Sequence, residues 1–317
     1  MKFKKLYVIA GVAFLAALLL YSFLRNKNSA PSKSLPGLNT DTGKSSIDQS
    51  KIVSGGPGKD GIPAISNPKF VDIGDEELSD STSGILINLN KQTRFYPFNI
   101  LVWHEIVNDS IEGSYIAVTF CPLCGSAIVF DRRVGDEILE FGVSGLLYES
   151  NLLMYDKKTE SLWSQVLGEA VVGSYTGTKL ALLPMQQLTF SEVKEKYPTA
   201  KVLSQDTGYI RDYRNNPYSG YEENRDLLFP VSVSDNRFPA KEIMYVVPYE
   251  GKSYTFSQIL LKEEFSKEFK EANITFRVTR KGGEITVTAN GKEIPGYYEM
   301  WFSWATHHQE NGIVWEM

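Results

Sequence analysis

Apolar residues in most of the chain occur in short runs, separated by glycine, asparagine, aspartate and serine. Short runs rich in β-branched and aromatic residues are typical of β-strands bounded by turns. Eight such runs lie at 85–89, 115–120, 127–130, 138–142, 152–155, 170–172, 275–279 and 285–288. Helical spacing fits only the segments 97–107, 189–196 and 256–269. The pattern predicts a β-rich α+β fold of antiparallel strands with a few short helices.

The N-terminal residues follow a different pattern. An uncharged run of nineteen residues extends from Leu6 to Leu24, and as a helix it spans about 28 Å, the thickness of a bilayer's hydrocarbon core. We predict a membrane anchor over 1–25, a flexible linker over 26–62 and a body over 63–317. The alternative is a cleaved signal peptide, although the run is long for one and no small-residue cleavage site precedes Arg25.

Charges beside the anchor predict its orientation. Three lysines precede the uncharged run and two basic residues follow it. The positive-inside bias places the N-terminus in the cytoplasm. We therefore expect a single-pass protein of the cell membrane whose body lies outside the cytoplasm.

Two segments of the body, 85–130 and 243–288, align without a gap at an offset of 158 residues. Both have the order strand, Tyr-x-Phe, helix, strand, glycine-bearing turn and strand. The alignment predicts two related halves with a middle segment inserted between them. Only the first half carries cysteines.

Composition narrows the class of protein. The chain has 317 residues, of which 42% are apolar and 22% charged, so it can form a core and is neither collagen-like nor wholly disordered. The net charge is −5, and five of the basic residues lie near the N-terminus, so the body that follows is more acidic than the total suggests. No basic stripe is interleaved with aromatic residues, and we expect no nucleic-acid partner.

The two cysteines form the most informative motif, Cys121-Pro122-Leu123-Cys124-Gly125, between two predicted strands. A thioredoxin-like pair needs a helix after its first cysteine, and here a strand follows. A strand, a tight turn with glycine and a returning strand are typical of a metal knuckle, because glycine tolerates positive φ and the turn directs both sulfurs to one side. Two thiolates supply half of a tetrahedral shell, and the chain has only three histidines.

We predict that Cys121, Cys124, His104 and His308 bind zinc or copper(I), since thiolate and imidazole suit both metals. Two other functions stay open. One is an extracellular thiol oxidoreductase that uses the two cysteines, and the other is a non-enzymatic binding module in which they form a structural disulfide. The sequence identifies neither a substrate nor a protein partner.

Polar and aromatic segments supply the ligand-binding candidates. Gly142-Val143-Ser144-Gly145 lacks the last glycine of a nucleophile elbow, so a strand-ending turn is favoured over a hydrolase. A tyrosine-rich stretch from Thr207 to Tyr221 has the length of a functional loop. The candidates in these and neighbouring segments are Ser144, Tyr148, Trp163, Gln165, Tyr209 and Arg211.

Several of these motifs occur together in one family. WHEIVND at 103–109, CPLCGSAIVFDR at 121–132, SGLLY at 144–148, SLWSQ at 161–165, TGYIRDY at 207–213 and WFSWATHH at 301–308 resemble domain of unknown function 3179. The resemblance implies an uncharacterised prokaryotic protein, exported or attached to a membrane, and it implies no activity. His308 takes the histidine position of the family pattern, and His307 is an addition of this chain.

Overall fold

A computed structural model describes residues 35–316 of the chain. The predicted anchor over 1–25 and the start of the predicted linker lie outside the described residues. Within 35–316, no helix has the length and apolar character needed to cross a bilayer.

Three short helices interrupt an otherwise β-rich chain: α1 (Phe98–His104), α2 (Phe190–Lys196) and α3 (Trp301–His307). The first eleven strands are β1 (Ile52–Ser54), β2 (Phe70–Asp72), β3 (Ser83–Leu89), β4 (Gln92–Pro97), β5 (Ile106–Ile111), β6 (Ser114–Cys121), β7 (Ser126–Asp131), β8 (Arg133–Val134), β9 (Glu137–Ile138), β10 (Phe141–Tyr148) and β11 (Asn151–Asp156). The other twelve are β12 (Leu162–Ser164), β13 (Glu169–Val172), β14 (Gln186–Thr189), β15 (Lys201–Leu203), β16 (Ile243–Tyr249), β17 (Lys252–Ser257), β18 (Glu264–Glu271), β19 (Ile274–Lys281), β20 (Glu284–Ala289), β21 (Lys292–Ile294), β22 (Tyr297–Met300) and β23 (Gly312–Val314).

The strands form antiparallel and mixed sheets. A seven-stranded sheet has the order β23-β17-β16-β22-β7-β6-β5, and its only parallel pair is β17 with β23. A five-stranded antiparallel sheet has the order β1-β10-β11-β12-β13. A second five-stranded sheet, β14-β3-β4-β15-β2, contains the parallel pair β4 and β15. Strands β18 to β21 form a four-stranded antiparallel sheet, and β8 pairs with β9.

The predicted β-rich class is confirmed, and each of the eight predicted strand segments overlaps an observed strand. The prediction of a helix over 256–269 is wrong. The chain there forms a 3₁₀ turn over Gln258–Leu260 and then β18, which pairs with β19 along its whole length. Phe265 and Phe269 lie four positions apart and share a face in either a helix or a strand, so their spacing does not distinguish the two.

The helix predicted over 97–107 is shorter than expected. It ends at His104 because Glu105 adopts a left-handed conformation with φ of 57°, and its N–H donates to the Leu101 carbonyl. Strand β5 begins at the next residue, Ile106. The reversal turns the chain back toward the sheet, where β5 pairs with β6.

The described part of the predicted linker, residues 35–62, packs against the body. Leu35 and Leu38 are buried, and β1 pairs with β10 through Ile52, Val53 and Ser54. The composition of this segment suits a flexible linker, but a few apolar side chains and one strand ladder fix it to the sheet. The boundary at residue 63 stays a prediction.

The two segments predicted to be related halves have the same order of strands, and the 3₁₀ turn over Gln258–Leu260 stands in the second segment where α1 stands in the first. Strands β3 and β16, β4 and β17, and β6 and β19 begin 160 residues apart, whereas β7 and β20 begin 158 apart. The change arises in one hairpin, because four residues join β6 to β7 and two residues join β19 to β20. The cysteine turn is therefore two residues longer than the turn at the matching place in the second segment. Common ancestry of the segments stays a prediction.

The cysteines lie in an apolar cluster built by the seven-stranded sheet, the five-stranded antiparallel sheet and α3. Residues 204–242, which we call the strap, connect β15 to β16 without a helix or strand. The fold thus places the cysteine turn in the interior, with a long irregular segment available to cover it.

Candidate functional site

The cysteine turn joins two adjacent strands, as the sequence predicts. Cys121 is the last residue of β6 and Ser126 the first of β7, and the two residues pair. Gly125 has φ of 57°, and a Cβ there would lie 3.1 Å from Met300 Cγ. The Met300 N–H donates to the Cys124 carbonyl at 2.8 Å, which ties the turn to β22. Both cysteines are free thiols, buried in this state.

Polar side chains surround the Cys124 sulfur. Asn151 Nδ2 donates to Cys124 Sγ at 3.0 Å, and Ser126 Oγ lies 3.0 Å from the same sulfur. Gln165 Oε1 accepts from Asn151 Nδ2 at 2.9 Å and from Ser126 Oγ at 2.5 Å. Gln165 Nε2 donates to Thr119 Oγ1 at 2.9 Å, which fixes the orientation of the amide. All five side chains are buried, so the network is shielded from water.

The Ser126 hydroxyl has one proton and two neighbouring acceptors, Gln165 Oε1 and Cys124 Sγ. When Cys124 is a thiol, its proton can go to Ser126 Oγ while Ser126 donates to Gln165. When Cys124 is a thiolate, Ser126 can rotate to donate to the sulfur, and Asn151 still donates to Gln165. Rotation of one hydroxyl therefore satisfies the network in both protonation states.

The two thiols differ in acidity. Burial raises the pKa of Cys124, but hydrogen bonds from Cys121, Ser126 and Asn151 outweigh it and bring that pKa down to about 7. Burial raises the pKa of Cys121 well above its usual range, and the hydrogen bond to Cys124 adds to the effect. The pair therefore favours a thiolate at Cys124 and a thiol at Cys121 near neutral pH.

Two buried carboxyl groups lie near the sulfurs. Burial, followed by the negative charge of Cys124, raises the pKa of Glu105 to about 8. Burial and the same charge raise the pKa of Glu299 to about 8, although hydrogen bonds act against the shift. Both groups are therefore protonated at neutral pH and can act as acids. Glu105 lies beside the end of β6, because its carbonyl accepts from the N–H of Phe120, the residue before Cys121, at 2.8 Å.

His308 lies beside Glu299, with 3.8 Å between Nε2 and Oε1. Burial, together with the neighbouring His307, lowers the pKa of His308 to about 3. Since Glu299 is protonated and His308 neutral at neutral pH, the contact between them is not an ion pair. Tyr297 OH joins them, donating to Glu299 Oε1 at 3.1 Å and lying 3.4 Å from His308 Nε2.

His104 holds the strap. Its Nδ1 lies 2.7 Å from the Pro63 carbonyl, and because a carbonyl only accepts, Nδ1 carries the ring proton. Its Nε2 then accepts from Tyr213 OH at 2.7 Å. Burial lowers the pKa of His104, which keeps the ring neutral. Both ring nitrogens are engaged, so neither offers a free lone pair to a metal.

The predicted metal ligands are not assembled into a site. In the part of the chain that the structure describes, no three or more His, Cys, Asp or Glu side chains are grouped so that they could hold a metal ion. Cys121 and Cys124 share one turn, His104 bonds to the strap and His308 lies against Glu299. Binding of zinc or copper(I) stays a prediction.

Of the six ligand-binding candidates, Gln165 lies in the Cys124 network. Ser144 Oγ donates to the Leu153 carbonyl within a bulge of β10, and Trp163 Nε1 donates to Asp156 Oδ2 at 3.0 Å. Tyr148 packs its ring against His307, with centroids 6.1 Å apart. These three side chains make local contacts within the fold, and ligand binding by them stays a prediction.

Tyr209 and Arg211 lie on the strap near α1. The Tyr209 ring is 5.5 Å from the His104 ring, and the Arg211 guanidinium lies 6.0 Å from the Trp103 ring. Tyr209 is 45% exposed and Arg211 is half-buried, and neither side chain belongs to the sulfur network.

The sequence did not single out four residues that contribute hydrogen bonds or carboxyl groups to the site, namely Glu105, Ser126, Asn151 and Glu299. Ser126 follows the cysteine motif directly and Glu105 follows His104, so both lie within motifs of the family resemblance, CPLCGSAIVFDR and WHEIVND. Glu299 interrupts an apolar strand, which is a signal for a buried carboxyl group. Asn151 begins β11 and had no signal, because only the packing of the five-stranded antiparallel sheet against the seven-stranded sheet brings it near Cys124.

The strap covers the cysteine turn. Tyr221 OH donates to the Leu123 carbonyl at 2.8 Å, between the two cysteines. Trp103 Nε1 donates to the Asn215 carbonyl at 3.1 Å and holds the strap on α1. Tyr218 lines the same cleft as Pro122, which places its side chain next to the turn. Burial, followed by the charges of Glu105 and Cys121, raises the pKa of Tyr218. Access to either thiol requires the strap to move.

Comparison with known proteins gives one match. The sequence model of a family described as "Protein of unknown function (DUF3179)" matches residues 59–292. Among curated proteins and among solved structures, none matches the chain. The matched range includes the cysteine turn and the side chains of the Cys124 network, Thr119, Ser126, Asn151 and Gln165, and ends before Glu299 and His308.

Proposed function

The chain belongs to the DUF3179 family of proteins of unknown function, and we propose that it is a thiol oxidoreductase in which Cys121 and Cys124 exchange two electrons with a substrate disulfide. The observation that carries the proposal is the buried network of Asn151, Ser126 and Gln165 at the Cys124 sulfur. An inert buried thiol has its pKa raised by apolar surroundings. Here the surroundings stabilise the thiolate, and a second thiol lies three residues away.

The first step uses the thiolate. Cys124 Sγ attacks one sulfur of the substrate disulfide, the substrate S–S bond breaks, and a mixed disulfide forms. The leaving thiolate takes a proton from Glu105, whose pKa of about 8 keeps it protonated beforehand. One substrate thiol is released.

The second step uses Cys121. The Glu105 carboxylate formed in the first step accepts the Cys121 proton, and Cys121 attacks the Cys124 sulfur. A Cys121–Cys124 disulfide forms while the second substrate thiolate leaves and is protonated by water. The substrate gains two electrons and the protein loses two. A small-molecule thiol can reduce the protein again by the reverse exchange.

The pKa asymmetry suits this order of events. A thiol attacks fastest when its pKa lies near the ambient pH, because much of it is then thiolate without great loss of nucleophilicity. The pKa of Cys124, about 7, meets that condition. Cys121 stays protonated until a base is formed beside it, so the two cysteines act in sequence.

The experiment is exchange between the reduced full chain and bis(2-hydroxyethyl) disulfide. We expect the wild-type chain to form an internal disulfide, seen by mass spectrometry as the loss of two hydrogens, with release of two thiols per chain. Cys121→Ser should stop at a mixed disulfide on Cys124. Cys124→Ser should react far more slowly.

A denatured sample is the control, because unfolding exposes both thiols. If the folded chain keeps both thiols reduced under an excess of the probe that oxidises the denatured chain, the proposal fails. Ser114→Ala, at the start of β6 and away from the sulfurs, serves as the matched surface variant.

The place of action is a further part of the proposal. The uncharged run from Leu6 to Leu24 supports a single-pass anchor in the cell membrane, with the dithiol outside the cytoplasm. Disulfides form and persist in such oxidising environments, so the proposed substrate class is present there. Separation of membranes from soluble protein, followed by protease protection of the body, tests this placement.

A further inference from the structure

A cleft of about 190 Å³ lies between α1 and the strap and ends at the cysteine turn. Phe98, Asn99 and Val102 of α1 form one side, and Tyr213 and Tyr218 of the strap form the other. Pro122, which stands between the two cysteines, is also part of its lining. The cleft therefore borders the proposed redox site.

Tyr218 links the cleft to the thiols. Its side chain lines the cleft, and the charges of Glu105 and Cys121 both raise its pKa after burial has done so. A group bound in the cleft would therefore lie beside Tyr218 and beside Pro122, the residue that follows Cys121. This position suits a residue adjacent to a substrate sulfur.

Five aromatic side chains line the cleft, among polar residues such as Asn99 and Arg214. The ring of Phe98 stacks on that of Phe120 with centroids 4.2 Å apart, and three tyrosines of the strap lie opposite. Aromatic walls favour an aromatic guest through offset and edge contacts. The cleft is smaller than the roughly 300–1,000 Å³ of sites for drug-sized ligands, which restricts the guest to a single ring.

One polar atom of the cleft lacks a partner within the described residues. Asn99 Oδ1 is buried and accepts no hydrogen bond, while Asn99 Nδ2 donates to the Tyr213 carbonyl at 3.2 Å. The bond to Tyr213 fixes the amide, so the free oxygen stays an acceptor. A buried acceptor without a donor is costly, and a ligand that supplies an O–H would satisfy it.

We propose that this cleft is the substrate subsite and binds the phenol ring of a tyrosine next to the substrate cysteine, with Asn99 Oδ1 accepting from the phenol O–H. The proposal rests on the thiol oxidoreductase function and adds the substrate class to it. Substrates are then peptides or proteins whose disulfide is flanked by tyrosine. Docking of the ring beside Pro122 places the adjacent disulfide next to the cysteine turn. Movement of the Tyr221 part of the strap off Leu123 uncovers the thiols while Tyr213 and Tyr218 stay against the ring.

The kinetic test compares three symmetric disulfide probes made from N-acetyl-Tyr-Cys-amide, N-acetyl-Phe-Cys-amide and N-acetyl-Ala-Cys-amide. We expect KM to rise in that order, with the tyrosine probe about tenfold below the phenylalanine probe for one hydrogen bond to a buried acceptor. Asn99→Ala should remove the preference for tyrosine over phenylalanine and keep that for phenylalanine over alanine. Equal KM values for all three probes would overturn the subsite.

A binding test without sulfur separates the two proposals. N-acetyl-tyrosine amide is titrated into the reduced full chain and followed by calorimetry. Val102→Phe, which fills the cleft, should weaken binding at least about tenfold, whereas Ile259→Phe adds the same bulk at a 78% exposed position and should not. If Val102→Phe does not fold, Asn99→Ala takes its place and should also weaken the binding of N-acetyl-tyrosine amide.

The outcomes are distinguishable. Phenol binding without any disulfide exchange leaves the subsite standing and refutes the oxidoreductase function. Disulfide exchange without phenol binding or tyrosine preference leaves the function standing and refutes the subsite.

Discussion

The difference in acidity between the two thiols can be measured one cysteine at a time, because the chain has only two. Cys121→Ser leaves Cys124 as the single thiol and keeps a hydroxyl donor in the place of the Cys121 S–H. Cys124→Ser leaves Cys121 alone. We expect the remaining thiol of Cys121→Ser to titrate near pH 7 and that of Cys124→Ser well above the ordinary thiol range.

The size of the effect follows from the hydrogen bonds. The ordinary thiol value is 9.0, so a pKa of about 7 corresponds to about 3 kcal/mol in favour of the thiolate. A hydrogen bond to a charged group contributes about 1.5–3 kcal/mol. Removing the Ser126 donor by Ser126→Ala in the Cys121→Ser background should therefore raise the pKa of Cys124 by about 1–2 units.

The lowered pKa of Cys124 also makes the folding stability depend on pH. The folded-state pKa of Cys124 is lowered, so its contribution is fully present above pH 9 and is lost as the pH falls toward 7. Urea unfolding of Cys121→Ser should show stability increasing by about 3 kcal/mol across that window. The double variant without thiols supplies the baseline for residues that titrate in both proteins.

The assay is the ultraviolet absorbance of the thiolate as a function of pH, with the double variant subtracted to remove tyrosine ionisation. If Cys121 titrates below Cys124, or if Ser126→Ala leaves the pKa of Cys124 unchanged, the interpretation of the buried network is wrong. Ser126→Thr, which keeps the hydroxyl, should retain the low pKa and shows whether the donor or the packing matters.

Three other predictions concern the surroundings of the thiols. Because the pKa of Glu299 is raised in the folded state, its contribution to stability is fully present below about pH 4.5 and is lost as the pH rises toward 8. In urea unfolding, the stability of Glu299→Gln should therefore rise relative to wild type by up to about 4 kcal/mol between pH 5 and 8. Parallel pH profiles of the two proteins would contradict this prediction. Gly125→Ala should lower the free energy of unfolding by about 1–2 kcal/mol because of its left-handed φ, and by more because the new Cβ contacts Met300. Gly113→Ala is the control, since a Cβ there meets no neighbour and only the φ penalty applies. Equal losses of stability in thermal unfolding would show that the Met300 contact has no effect. If the predicted zinc or copper(I) site forms, elemental analysis of reduced protein loaded with either metal should find about one equivalent of metal in wild type and less in Cys121→Ser. Less than about a tenth of an equivalent in wild type would reject the metal site.

Local features of the fold were readable from the sequence. The cysteine turn was predicted as strand, turn and strand with glycine at positive φ, and the structure confirms each part. Such predictions succeed because residues within one hairpin determine its geometry. β18 was missed because Phe265 and Phe269 have a spacing that fits both a helix and a strand.

The chemistry of the site was less readable. Asn151 and Gln165 reach the cysteine turn only through the packing of the five-stranded antiparallel sheet against the seven-stranded sheet. The low pKa of Cys124 depends on that tertiary arrangement, and no local pattern reports it. His104 looked like a metal ligand because histidine near a cysteine pair is chemically suitable, but its two nitrogens bond to Pro63 and Tyr213.

The shorter hairpin of the second segment gives the protein an internal reference for its own site. Strands β19 and β20 close with Gly282 and Gly283 alone, so this arrangement of strands does not need a cysteine turn. Replacing residues 122–125 by two glycines would yield a molecule with the same strands and without Cys124. The free-energy difference between the two proteins would measure how much folding stability the chain gives up, or gains, by keeping reactive groups in its interior.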